Sequence, residues 1–335
     1  MKSSLHILII ILLCSSCIQR LQKPNSAHPG AISTKSGLLY NQYENSFYVD
    51  YFQGYQDSKV MIFKGWKNKR PIYDRRVNLS LPDGVKIDTN LYVDEAETTN
   101  LHWREFLFYI KRDSSEALYQ KMLPDPKYLP VKEYLSDDFY RFYPVVGVNR
   151  QQVETYLKWR GKVIETEIDK GKSNKKVIYR LPTEAEWEKA AAGGLDKDKF
   201  PYGVEWLSVE VKVNPNAADY LKRSFTLNVS NEQLKKDIKA FNKSNPVMVP
   251  FYVKQENLPY FLQFNTPFYV YNFAKNRLGL INMIGNVAEM IDEEGIAKGG
   301  SYKQDPTKCK IKDQIRFNGS SSFVGFRAIA EVVNK

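Results

Sequence analysis

Histidine and cysteine are scarce in this chain of 335 residues, which has three of each. A facial iron triad needs two histidines and a carboxylate converging on one metal. His6 and His28 fall in the N-terminal segment and His102 in a pattern that reads as helix, so their positions argue against such a triad. His102 reads more simply as a satisfied or exposed helix residue. No nucleophile elbow or Ser-His-Asp arrangement occurs, and Gly171-Lys172-Ser173 lacks the earlier glycine of a phosphate loop. Internal repeats are absent, and no apolar run is long enough for a mature membrane-spanning helix. The formal net charge is +11, yet the lysines are scattered rather than interleaved with aromatics, and no nucleic-acid motif accompanies them. A solvated basic face is the plain reading, and no nucleic-acid partner is expected.

Aromatic and apolar residues are plentiful: 13% and 43% of the chain, enough for a substantial core. Lys2, the apolar run from Leu5 to Leu13 and the small residues before Cys17 make residues 1–16 an expected export signal. Cys14-Ser15-Ser16-Cys17 resembles a bacterial lipoprotein box, with Cys17 lipidated; the plainer alternative is an ordinary signal peptide with a chance cysteine. Ile18-Gln19-Arg20 supplies no acidic cluster after the cysteine. By resemblance to sorting signals, this implies a lipid anchor in the outer membrane, facing the periplasm. After processing, Cys309 is the single free thiol and has no intrachain partner. Lys308 and Lys310 flank it and favour its thiolate, although a buried, inert cysteine is the simpler account.

Residues 17–36, with Pro24, Pro29 and Gly30, read as a lipidated N-terminus and flexible tether, and 37–335 as one domain. Phe47 to Phe52 and Val60 to Phe63 suggest short strands. Asn100 reads as the cap of a helix whose core face is Trp103, Phe106, Leu107 and Ile110. Asn149 caps a second helix, with Val153, Tyr156 and Leu157 inward, ending near Gly161. Thr183 and Glu186 form a capping box for a third, with Trp187, Ala190 and Ala191 on one face before Gly193 and Gly194. An insertion at about 219–265 contains an amphipathic helix with Leu234, Ile238 and Phe241 on one face. The aromatics from Phe251 to Phe264 within it form either core or a partner surface. Asp292-Glu293-Glu294 reads as a solvated acidic turn.

The string Arg180 to Gly194 closely resembles the signature of the formylglycine-generating-enzyme, or sulfatase-modifying-factor, domain. Asn282 to Met290, then Lys298-Gly299-Gly300-Ser301-Tyr302, then Val324-Gly325-Phe326-Arg327 resemble that family's closing sequence in order and spacing. The resemblance implies an α+β fold, irregular and loop-rich like the C-type-lectin arrangement.

That family's enzymes oxidise a substrate cysteine with copper held by a pair of cysteines. Counted from Gly299-Gly300-Ser301, the first position is Gln304 here and the second Cys309. An amide does not replace a thiolate, so no copper is expected, no non-haem iron, and no catalytic residues. The family also implies a structural calcium ion, with Asn286 and Glu289 as side-chain ligands and Asn216 matching a ligand of a second site. The alternative is that Asn286 and Glu289 serve the turn without metal. The resemblance is strongest to the noncatalytic lipoproteins of gliding motility and type IX secretion. It implies a structural role beside other envelope proteins, against the alternatives of a divergent periplasmic enzyme or a ligand-binding module.

Overall fold

The computed structural model describes Ser33, Lys35, Ser36, Leu38, Phe63–Lys64 and residues 84–335 except 170–172 and 274. Residues 1–32, with the expected signal and Cys17, and the expected strand at Phe47 to Phe52 lie outside the described residues.

Six α-helices are described. In α1 (Asn100–Asp113) the cap is Thr99 rather than Asn100. The reason is that Asn100 points its amide away from the helix end, donating to the carbonyls of Tyr134 and Tyr140 at 2.9 Å each. His102 closes the first turn instead, its Nδ1 2.8 Å from Thr99 Oγ1. It is a buried, satisfied helix residue. A short α2 (Glu116–Met122) follows. Asn149 caps α3 (Arg150–Val163) through a reciprocal box with Gln152, and the helix runs past Gly161 into π-helical turns at Ile164–Asp169. The box of Thr183 and Glu186 starts α4 (Glu184–Ala192), and Gly193 ends it at φ 59°, a left-handed conformation that favours glycine. The insertion contributes α5 (Ala218–Ser224) and α6 (Asn231–Lys243).

The strands are short: β1 (Phe63–Lys64), β2 (Gly84–Lys86), β3 (Leu91–Asp94), β4 (Lys175–Arg180), β5 (Val209–Glu210), β6 (Lys212–Val213), β7 (Val247–Met248), β8 (Ala288–Met290), β9 (Ile296–Lys298), β10 (Ile315–Arg316), β11 (Val324–Gly325) and β12 (Ile329–Asn334). One antiparallel sheet has the order β2-β3-β12-β4, so the C-terminal strand lies between two early ones. A second sheet, β10-β9-β8-β11, is antiparallel except for the β8–β11 pair. Two-stranded ladders join β1 to β6 and β5 to β7. With much of the chain in loops between these elements, the fold is the irregular α+β class expected.

The apolar faces read from the sequence meet in the core. Trp103, Phe106 and Tyr156 pack with Phe326, Trp103 and Tyr156 stacking at 5.5 Å between ring centroids. Leu234 and Ile238 of α6 are fully buried and Phe241 packs beside them. Tyr252 stacks on Phe268 at 5.3 Å and abuts Phe264 at 4.1 Å. The insertion's aromatics are therefore largely core, each burying apolar area worth about 2 kcal/mol or more. Tyr260 is the outward one, donating to Asp237 at 2.7 Å. The tether expected through Ser36 ends earlier, because Ser33, Lys35 and Ser36 are fully buried in the domain.

Candidate functional site

The motif segments converge where α4, β8 and the turn between β11 and β12 meet. Glu289 on β8 and Arg327 just after β11 are both buried. Arg327 Nε lies 2.8 and 2.7 Å from the two Glu289 oxygens, and Nη2 lies 2.6 Å from Oε1. Trp187 of α4 donates its indole N–H to Glu289 Oε2 at 2.8 Å. The remaining guanidinium protons reach the carbonyls of Asp94 (3.0 Å), Glu95 (3.2 Å) and Ile281 (2.7 Å). One side chain thus joins β3, β8 and the loop before it. Such a charge is tolerated away from water only because its donors are all used.

Asn286 stands beside this pair at φ 58°. Its Oδ1 accepts the Phe268 N–H at 2.8 Å, and its Nδ2 donates to Glu97 Oε1 at 2.9 Å and to the Phe268 carbonyl at 3.2 Å. Asn282 Nδ2 donates to Glu97 Oε2 at 3.2 Å. Burial pushes the Glu97 carboxyl up to about 8, the neighbouring Glu289 adding to the shift and Arg327 opposing it. Lys298, at the end of β9, is buried between Glu184 (2.7 Å) and Glu188 (2.9 Å) and so ties α4 to the Gly-Gly-Ser turn. Glu186, besides its capping role, forms a two-bond pair with Arg180 at 2.7 Å for each bond. These glutamates do more than compensate the helix dipole.

Gly300 lies against Cys309 and Ser301 against Gln304, the two positions singled out by the family resemblance. A Cβ on Gly300, whose φ is +72°, would lie 2.2 Å from Cys309 Sγ, so no other residue fits there without displacing the cysteine. Ser301 is buried and donates its hydroxyl to the Gln304 side-chain oxygen. The Gln304 backbone is held at both ends, its N–H by Ser301 (3.0 Å) and its carbonyl by Lys254 (2.9 Å). Cys309 is fully buried, and its thiol donates to the Asp305 carbonyl at 3.3 Å. Lys308 and Lys310 were expected to favour the thiolate, but both point into solvent. Burial dominates and pushes the thiol up to about 12.

Neither implied metal fits these contacts. Each Glu289 oxygen already accepts two hydrogen bonds, and a calcium ion there would lie against the Arg327 guanidinium. The Asn286 oxygen is taken by a backbone N–H. Nearby, Asn282 Oδ1 and Thr98 Oγ1 are buried without a hydrogen-bond partner, few side-chain oxygens against the six to eight of a calcium shell. Asn216 is exposed on the turn Pro215–Ala217 and shares no hydrogen-bond partner with Asn286 or Glu289. Copper in its lower oxidation state wants a pair of thiolates; one protonated, buried thiol does not provide it. Among the described residues no cluster of three or more His, Cys, Asp or Glu side chains is placed to hold a metal ion.

Sequence reasoning gave no role to Glu97 or to Arg327, although Arg327 lies in a motif string. It also missed the buried group Asp94, Arg160 and Lys35. Burial alone would raise the Asp94 carboxyl, but Arg160 and Lys35, each 2.9 Å away, outweigh it and hold it at about 2. A charged residue inside an otherwise apolar pattern, as at Arg160 in α3, was the signal available.

The family model for the sulfatase-modifying factor enzyme 1-like domain matches residues 82–332. The formylglycine-generating enzyme of Thermomonospora curvata is 41% identical over 63 residues, covering 19% of this chain and 15% of that protein. That of Mus musculus is 24% identical over 218 residues, covering 56% of this chain and 44% of that protein. The chain therefore spans less than half the length of these relatives. Among solved structures, Treponema denticola variable protein 1 aligns with a TM-score of 0.40 at 16% identity, over 72% of this chain and 84% of that one. PvdO from Pseudomonas aeruginosa aligns with a TM-score of 0.37 at 16% identity, over 72% and 80%. With its motif segments gathered around Glu289 and Arg327, and the family model matched over most of its length, the chain belongs to the sulfatase-modifying factor enzyme 1-like domain family.

Proposed function

We propose that this protein is a noncatalytic member of its family: a lipoprotein attached through Cys17 to the periplasmic leaflet of the outer membrane, structural in a gliding-motility or type IX secretion assembly. The observation that supports the noncatalytic part is the state of the Gln304 and Cys309 corner. Cys309 is fully buried there and pushed up to about 12, and by the family resemblance Gln304 stands at the position of its partner cysteine. Dithiol chemistry requires two sulfurs within reach of each other and of substrate. The motif residues that remain serve packing: Trp187, Glu289 and Arg327 hold three elements together. Lipidation and the choice of assembly follow from the resemblance of the N-terminal box and the motif strings to lipoproteins of that machinery.

The test of the noncatalytic reading is incubation of purified protein, with copper, with a sulfatase-type cysteine peptide, analysed by mass spectrometry. No formylglycine is expected. Turnover that vanishes in Cys309→Ser overturns the reading. The structural role is tested by crosslinking and affinity purification from membranes, which should recover outer-membrane components of the secretion or motility apparatus. A monomer without envelope partners, together with unaltered secretion in a deletion strain, refutes it.

A further inference from the structure

Ser33, Lys35 and Ser36 are bound into the domain by side chains from three separate elements. Ser33 and Ser36 donate their hydroxyls to the two oxygens of Glu105 on α1, at 2.7 and 2.5 Å. Lys35 Nζ is 2.9 Å from Asp94 Oδ2 at the end of β3 and donates to the Ala96 carbonyl at 2.9 Å. Arg160 of α3 donates to the Lys35 carbonyl and pairs with the same Asp94 oxygen. The Ser33 N–H closes the loop on the Leu38 carbonyl at 2.7 Å, and the N–H groups of Lys35 and Ser36 point to Ser33 Oγ. Ser33, Lys35, Ser36 and Arg160 are wholly buried. A lysine enters a protein interior only where its charge and protons are answered, so this seat is built for the segment.

We propose that Ser33, Lys35 and Ser36 form a clip that takes up the pull of the membrane anchor and fixes how far the domain stands from the bilayer, an inference that rests on the reading of Cys17 as the attachment point. Cys17 and Ser33 are 16 positions apart, so the clipped domain reaches at most about 55 Å from its anchor at full extension. Among the described residues, the next one held by a strand ladder is Phe63, opposite Val213. It is 46 positions from Cys17, so attachment there alone would set an upper limit of about 160 Å. The clip lowers that upper limit about threefold. It also delivers force to α1, β3 and α3 together, whereas a pull at Phe63 would act on a two-residue ladder.

The test uses the full lipidated chain in phosphatidylethanolamine and phosphatidylglycerol vesicles containing an acceptor dye. A donor dye is attached at Lys239→Cys, an exposed position on α6; Cys309, being buried, stays unlabelled. Two insertions of about twenty Gly-Ser residues are compared, one immediately before Ser33 and one immediately after Leu38, both leaving the clip residues intact. The insertion before Ser33 should lengthen the mean distance to the bilayer by about 10 Å, from the square-root scaling of a flexible chain. The insertion after Leu38 should leave it unchanged. Hydrogen exchange should show the Lys35 and Ser36 amides protected in all three proteins. Equal displacement by both insertions, or exchange of those amides at the rate of a free peptide, overturns the clip while leaving the anchor standing. Absence of the unmodified chain from the vesicles overturns the anchoring reading and the clip's role with it.

Discussion

The buried pair of Arg327 and Glu289 permits a quantitative test of what holds the motif segments together. Arg327→Met removes a guanidinium that makes three contacts to Glu289 and serves three backbone carbonyls, and leaves the Glu289 carboxylate, among the described residues, with the Trp187 N–H as its remaining donor. Breaking a buried pair on one side typically costs about 3–5 kcal/mol, because the other charge stays buried and unanswered. Glu289→Gln strands Arg327 in the same way and should cost a similar amount. At about 2–4 °C per kcal/mol for a domain of this size, each single variant should melt about 10 °C lower. The double variant Arg327→Met with Glu289→Gln leaves no unpaired charge. It should be more stable than the sum of the singles by about 2 kcal/mol, the range of a direct coupling. The assay is urea unfolding followed by tryptophan fluorescence, with thermal melts alongside. A cost below about 1 kcal/mol for either single, or singles that add within about 0.5 kcal/mol, refutes the view that this pair joins the segments.

Three further outcomes are expected. Asp94 is held at about 2 in the folded chain, below its usual 3.8, so its contribution is complete above that usual value and disappears as pH falls toward 2. The stability difference between the native chain and Asp94→Asn should therefore shrink over about pH 4 to 2; a difference independent of pH there contradicts the assignment. Cys309, buried and with its pKa raised, should react with a thiol reagent about a thousandfold slower in the native protein than in urea, at a rate that follows the opening of the domain. Rapid labelling of the native chain refutes its burial. Because the side chains of Glu289 and Asn286 are occupied, a chelator should shift the melting temperature by less than about 1 °C; a drop of several degrees with stoichiometric calcium in the purified protein restores the calcium expectation.

Elements whose signals are local were legible in the sequence. The Thr183 and Asn149 caps, the inward faces of α1, α3 and α4 and the amphipathic α6 follow from helical periodicity and capping chemistry, which act within a few residues. The family resemblance, counted from Gly299-Gly300-Ser301, likewise singled out Gln304 and Cys309. Contacts between distant segments were not legible, since nothing in the local pattern encodes which partner a charged residue meets. Asn100 reads as a helix cap because Asn often is one, but the carbonyls of Tyr134 and Tyr140 claim its amide. Lys308 and Lys310 suggested a reactive Cys309, whereas burial among residues far away in sequence governs the thiol. Asn286 and Glu289 have the composition of a cation site, yet Phe268 and Arg327 claim their oxygens. The tether reads as running to Ser36 because Ser, Lys and Ser have the composition of a polar linker. Only the folded chain brings Glu105, Asp94 and Arg160 to one place, where the same polar atoms become hydrogen-bonding groups for a buried clip.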